Sequence, residues 1–219
     1  MKSNEELQKD VLEAINWEPT LNAAEIGVIV KDGVVTLTGM VDSYAKKGEA
    51  ENAAKSVTGV KVVVEKIDVK LDKGFDKKDD NEIASDLIEA VKWNRQIPKE
   101  KIRAKVEEGW VTLEGEVEWN YQREAAYDIA KYQHGVKGVT NNITIMMNRD
   151  QVEKEAIERA FRRNLFLDDT NITVSVLDNN VTLKGVVPTW FQKDKAEKIA
   201  WKAHGVQNIK NQLKVEYNY

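Results

Sequence analysis

The sequence predicts an α+β chain of three tandem small domains. Each has the order α-β-β-α-β and forms a three-stranded mixed sheet covered on one face by two helices. Three observations predict this. The phrase Gly33-Val34-Val35-Thr36-Leu37-Thr38-Gly39 returns as Gly109-Trp110-Val111-Thr112-Leu113-Glu114-Gly115 and as Asn179-Asn180-Val181-Thr182-Leu183-Lys184-Gly185. Its closing glycines are 76 and then 70 residues apart. A second glycine, Gly59, Gly135 or Gly205, follows each closing glycine after 20 residues, and a valine follows it. A period near 70 is longer than a solenoid unit and matches a small domain. The domains fall at 1–71, 80–147 and 150–219.

Each repeat opens with an amphipathic helix, whose apolar face reads Leu7, Val11, Ala14, Ile15, then Leu87, Ala90, Val91, then Ile157, Ala160, Phe161. Ser3 with Glu6 forms a capping box; Asp79 with Glu82 and Asp150 with Glu153 are looser versions of it. Strict alternation follows, through Ile26, Val28, Val30, then Ile102, Ala104, Val106, then Ile172, Val174, Val176. Period two with one apolar face is a half-buried strand. Asp32-Gly33, Glu108-Gly109 and Asp178-Asn179 then read as hairpin turns that need positive φ. The glycine inside the second strand (Gly39, Gly115, Gly185) implies a bulge or a close backbone approach.

The core face of the second helix is rich in small residues and reads Ala50, Ala53, Ala54, Val57, then Ala126, Ile129, Ala130, then Ala196, Ile199, Ala200, Ala203. Gly59, Gly135 and Gly205 read as its C′ caps, with the following valine as the hydrophobic C″ residue. A last alternating strand runs through Ile67, Val69, Leu71, then Ile143, Ile145, Met147, then Leu213, Val215, Tyr217. Reached across a helix, it should run parallel to a neighbour while the hairpin pair is antiparallel. The joint at 72–79 is long and charged and the joint at 147–150 is short. That asymmetry predicts that the second and third repeats are held together more firmly than the first.

These residues resemble the BON domain (bacterial OsmY and nodulation). The pattern is D-G-x-V-T-L-x-G-x-V, an Ala-rich helix, then G-V-x-x-V-x-N-x-I-x-V. Residues 135–145 and 205–215 match best, whereas the first repeat has Glu65 where the others have Asn141 and Asn211. The resemblance covers nearly the whole chain outside the joints. It implies a non-enzymatic module associated with envelope or osmotic stress, which docks on phospholipid surfaces or proteins. A chaperone-like or scaffold protein without lipid binding is the alternative. The motifs carry no catalytic group.

The residues themselves point the same way. With no Cys, the chain has no thiol nucleophile, disulfide or Cys-ligated zinc. His134 and His204 share a repeat position in the last helical turn, where the first repeat has Thr58, and no ligand cluster surrounds them. No G-x-G-x-x-G or Walker motif occurs. We therefore expect no enzyme activity, no catalytic residue, no metal and no cofactor. No apolar run approaches the length of a membrane span. The N-terminus lacks an apolar signal region, so a cytoplasmic location is expected, or a periplasmic one if a leader has been removed. Residues 1–71 and 80–147 each carry 9 basic and 12 acidic groups, and 148–219 carry 12 and 10. Nucleic acid is not an expected partner of so acidic a chain; an anionic phospholipid surface or a protein is.

The candidate surface is the second helix of the third, basic repeat. At 100° per residue, Trp190 and Trp201 fall within about 20° of each other, away from the alanine face. Lys195, Lys198 and Lys202 flank them and Phe191 sits beside Trp190. Aromatic rings beside lysines suit a lipid headgroup boundary or a protein interface; packing between repeats is the competing explanation. Weaker candidates in the second repeat are Tyr121, Tyr127 and Lys131. Trp17 and Trp93, aligned at the ends of their helices, are expected to cap the small cores. Trp110 and Trp119, special to the second repeat, are expected at a contact between repeats.

Overall fold

Three hairpins set the frame. In the computed structural model, residues 2–70, 78–146, 152–164, 167 and 172–216 are described. The strand pairs are β1 (Ile26–Lys31) with β2 (Val34–Val41), β4 (Ile102–Glu107) with β5 (Trp110–Val117), and β7 (Ile172–Leu177) with β8 (Asn180–Val187). Each pair is antiparallel, and Val28, Ala104 and Val174 face Leu37, Leu113 and Leu183. Both residues of each turn have positive φ, including Asn179 at 64°. Two left-handed residues in a row match the twist of the flanking strands, so Asn replaces Gly here without a change of turn.

The third strand of each sheet is β3 (Val62–Val69), β6 (Gly138–Ile145) or β9 (Asn208–Val215), and the strand orders are β1-β2-β3, β4-β5-β6 and β7-β8-β9. The pairs β5–β6 and β8–β9 are parallel, which makes the sheets mixed as expected. The strands end two residues before the predicted Leu71, Met147 and Tyr217, which lie outside the described residues.

The opening helices are α1 (Asn4–Asn16), α3 (Asp80–Trp93) and α5 (Lys154–Arg162). Ser3 and Asp79 both complete reciprocal capping boxes with Glu6 and Glu82. Glu153 is the N-cap of α5 and makes no side-chain cap bond; Asp150 lies outside the described residues. The returning helices are α2 (Tyr44–Ser56), α4 (Asn120–Lys131) and α6 (Trp190–Ala200). They stop three to five residues before Gly59, Gly135 and Gly205, so these glycines do not occupy the C′ position. Instead they close the turn that leads into the last strand, and the valines behind them, Val60, Val136 and Val206, are buried. His134 and His204 consequently sit in that turn, exposed, beyond the helix.

The glycine of the V-T-L-x-G phrase marks a close approach and not a bulge, because the parallel pairing runs through Gly115 and Gly185 without interruption. A Cβ on Gly115 would lie 2.0 Å from the carbonyl oxygen of Lys101, and one on Gly39 would meet Glu25 in the same way. The asparagine of the last strand has an equally local role. The Asn141 amide donates to the Arg123 carbonyl at 3.2 Å and its oxygen accepts from the Ile143 N–H, tying α4 to β6. Asn211 repeats this between α6 and β9. The recurring motif residues thus fasten the fold.

The chain divides into two compact units. One comprises residues 1–39, 49–66 and 147–219, and the other residues 40–48 and 67–146. The third repeat therefore clusters with most of the first, contrary to the inference from joint lengths. A short joint limits separation along the chain, but side-chain packing decides which surfaces meet.

Candidate functional site

The third-repeat helix was the sequence-level candidate, and the structure divides its residues. Thr189 caps α6 by accepting the Gln192 N–H. This fixes Trp190 in the first turn, where its indole N–H donates to the Lys61 carbonyl at 2.9 Å. The Lys193 ammonium lies 4.9 Å from the same ring. Trp201 caps the other end of the helix and is only 9% exposed. Of the two readings weighed for these rings, packing between repeats describes Trp190, which meets the first repeat, and Trp201 is buried. Phe191, Lys198 and Lys202 are exposed, and Lys195 is half-buried.

Phe191, Lys195 and Lys198 line a cleft of about 250 Å³ with Asn52, Lys55 and Asp194. Burial pushes the Asp194 carboxyl above its ordinary pKa, and the Lys55 ammonium pulls it partly back. A raised folded-state pKa means that ionised Asp194 weakens the fold. Relative stability is fullest below the unfolded value and falls as pH rises through the folded one. Asp194→Asn should therefore raise the melting temperature at pH 7. The advantage should vanish below about pH 3.9, the ordinary aspartate value. Melting curves at pH 7 and pH 3.5 check this.

The weaker candidates also separate. Tyr121 is exposed and stacks on Trp119 with centroids 6.5 Å apart. The Tyr127 hydroxyl lies 3.3 Å from that of Tyr44, whose ring packs on the second-repeat core. Lys131 sits 5.2 Å from the Tyr132 ring. Trp119 is thus part of a local stack. Trp110 lies over the backbone of Gly138, opposite it in the parallel pair, so its ring covers a glycine of its own repeat. Neither finding places these rings at a contact between repeats.

Trp17 and Trp93 reverse their expected role. They are 86% and 76% exposed, so neither covers a core. Both stand at the last residue or C-cap of a helix, where the chain turns away before the ring can fold back.

Trp93 stands in a segment whose charge the averages over whole repeats concealed. Residues 92–105 contain Lys92, Arg95, Lys99, Lys101, Arg103 and Lys105 against the single acid Glu100. The aligned residues 16–29 contain no cation, and 162–175 contain two. All six cations are exposed. Lys101 pairs with Glu118 at 3.0 Å and Lys105 with Glu107 at 2.8 Å. Lys92, Arg95, Lys99 and Arg103 make no ion pair among the described residues. The end of α3, a 3-10 turn at Lys99–Lys101 and the edge strand β4 together display them. A charge count in a sliding window, taken repeat against repeat, would have found the strip.

Beside this strip an apolar cleft of about 300 Å³ opens between α3 and β4. Leu87, Val91, Ile102 and Ala104 line it, exposed Ile88 borders it, and Lys92 and Lys99 are the only charged lining residues among the described ones. Among the described residues no three acidic or histidine side chains converge as a metal site would require.

Three αββαβ units carrying recurrent structural motifs and divergent surfaces define a tandem-module protein. The chain belongs to the BON domain family: the family model matches residues 3–70, 79–147 and 149–217. It is 30% identical over 192 residues to the Osmotically-inducible protein Y of Escherichia coli (strain K12), covering 82% of this chain and 94% of that protein. Among solved structures, the C-terminal domain of CdsD, a structural protein of the type III secretion system of Chlamydia trachomatis, aligns at 16% identity. Its TM-score is 0.26, with 99% of this chain and all of that one covered. A second CdsD structure aligns at 14% identity with a TM-score of 0.25, covering 95% and 91%.

Proposed function

We propose that this protein is a stress-associated, non-catalytic binding module that docks on anionic phospholipid surfaces through its second repeat. The carrying observation is the exposed strip from Lys92 to Lys105, six cations against one acid, with the Trp93 indole standing out beside it. Cations near an anionic leaflet each contribute about 1 kcal/mol. An exposed indole suits the headgroup boundary, where its ring meets acyl carbon and its N–H stays wet. The strip overrides the net acidity of the repeat because screening confines each charge to about 8–10 Å at physiological salt. The stress association rests on the similarity to the osmotically inducible protein.

Co-sedimentation with vesicles of phosphatidylglycerol and phosphatidylcholine tests the surface reading. Binding should be strong at 20 mM salt, weaker at 300 mM and absent with phosphatidylcholine alone. Trp93→Ala should weaken it severalfold at either salt concentration. Equal binding to neutral vesicles, or none to anionic ones, would refute the reading. Capture of a dedicated protein partner by a chain that ignores vesicles would favour the scaffold alternative.

A further inference from the structure

We infer that the cleft between α3 and β4 binds a free single-chain fatty acid, its carboxylate held between Lys92 and Lys99. Comparison of the three repeats shows how the cleft arises. The position of Ala104 holds Val28 in the first repeat and Val174 in the third, both buried; the position of Val91 holds Ile15 and Phe161, again both buried. In the second repeat Val91 is half-buried, Ala104 is exposed, and both line the cleft. The second repeat thus has smaller side chains, bordering an open cleft, at positions where the other repeats carry larger, buried ones.

The shape and charge of that space select the occupant. At about 300 Å³ it lies at the lower end of small-molecule sites. A methylene is about the size of a water, roughly 30 Å³ in the liquid, so one chain of about ten carbons fits and two chains do not. The deeper walls, Leu87, Val91, Leu113 and Ala126, offer no polar side chain to a ligand. Among the described residues the two lysines at the mouth have no ion-pair partner and no carboxylate lines the cleft to repel an anion. An aliphatic tail with one negative head satisfies both parts; a cationic amphiphile does not.

The inference rests on the same second-repeat site as the surface reading, but it requires a soluble ligand and two cavity-lining residues that vesicle docking does not use. Calorimetric titration of the full chain with sodium decanoate, below its micelle concentration, should show saturable binding of one molecule per chain. Ala104→Val and Val91→Ile install the residues of the first repeat. Each should lower the affinity at least tenfold while leaving binding to phosphatidylglycerol vesicles unchanged. Lys92→Gln/Lys99→Gln should weaken decanoate at least fivefold and leave decanol unaffected. Absence of saturable decanoate binding overturns the inference, as does unchanged affinity in both cavity-filling variants. If decanoate binds and vesicles do not, the surface reading falls and the cleft stands. If Ala104→Val reduces vesicle binding while decanoate never binds, the cleft takes a phospholipid chain and the free fatty acid is excluded.

Discussion

Gly115→Ala is expected to unfold the second repeat. Gly115 has φ near +143°, a region that side chains rarely enter, and its missing Cβ would stand 2.0 Å from the Lys101 carbonyl oxygen. That oxygen belongs to the backbone entering β4, so relief requires the paired strands to part. Backbone strain of this kind costs about 1–3 kcal/mol, and the steric overlap adds to it. A unit of about 70 residues has roughly 3.5–10 kcal/mol in total, at 0.05–0.15 kcal/mol per residue. The variant should lose protection of β4–β6 amides in hydrogen exchange. Gly48→Ala is the contrast: it lies inside α2, and its Cβ would meet only the flexible end of Lys131 at 3.3 Å. Alanine there should be neutral or stabilising by up to about 1 kcal/mol. A stable, fully protected Gly115→Ala protein would show that this glycine is not the constraint its geometry indicates.

The second large effect concerns the strip. Reversing its four cations that lack ion-pair partners, with Lys92→Glu/Arg95→Glu/Lys99→Glu/Arg103→Glu, should abolish sedimentation with phosphatidylglycerol vesicles. Removing four charges worth about 1 kcal/mol each at an anionic surface lowers affinity by roughly a thousandfold, before repulsion by the new carboxylates is counted. The side chains are exposed, so circular dichroism and melting should change little. The matched control, Lys195→Glu/Lys198→Glu/Lys202→Glu, places three reversals on the third-repeat helix. If the control loses binding and the quadruple variant keeps it, the docking surface is on α6 and the assignment to the second repeat is wrong.

The two reversal sets also separate what was legible in the sequence from what was not. The helical wheel gave Trp190 and Trp201 their angles around α6, but an angle says only which side a ring leaves from. It cannot say that Lys61, 129 residues earlier, supplies an acceptor for Trp190. Trp17 and Trp93 failed in the opposite sense: aromatics at the end of an apolar stripe usually extend a core, yet the helices stop at them. The basic strip was written in the sequence, but averaging charge over whole repeats cancelled it against acids elsewhere. Ala104 stood in the alignment as one more apolar residue of its strand. Its exposure follows from a volume deficit shared with Val91, on another element.

The sequence alone determined the three αββαβ units and their hairpin turns. These features depend on contacts near in sequence, on period, and on backbone conformations that few residues adopt. The tertiary structure alone decided which aromatic rings stay in solvent, which repeats share a compact unit and where a cleft remains. Those outcomes depend on the fit of surfaces far apart in the chain, where one side chain's volume counts only against the residues that happen to face it.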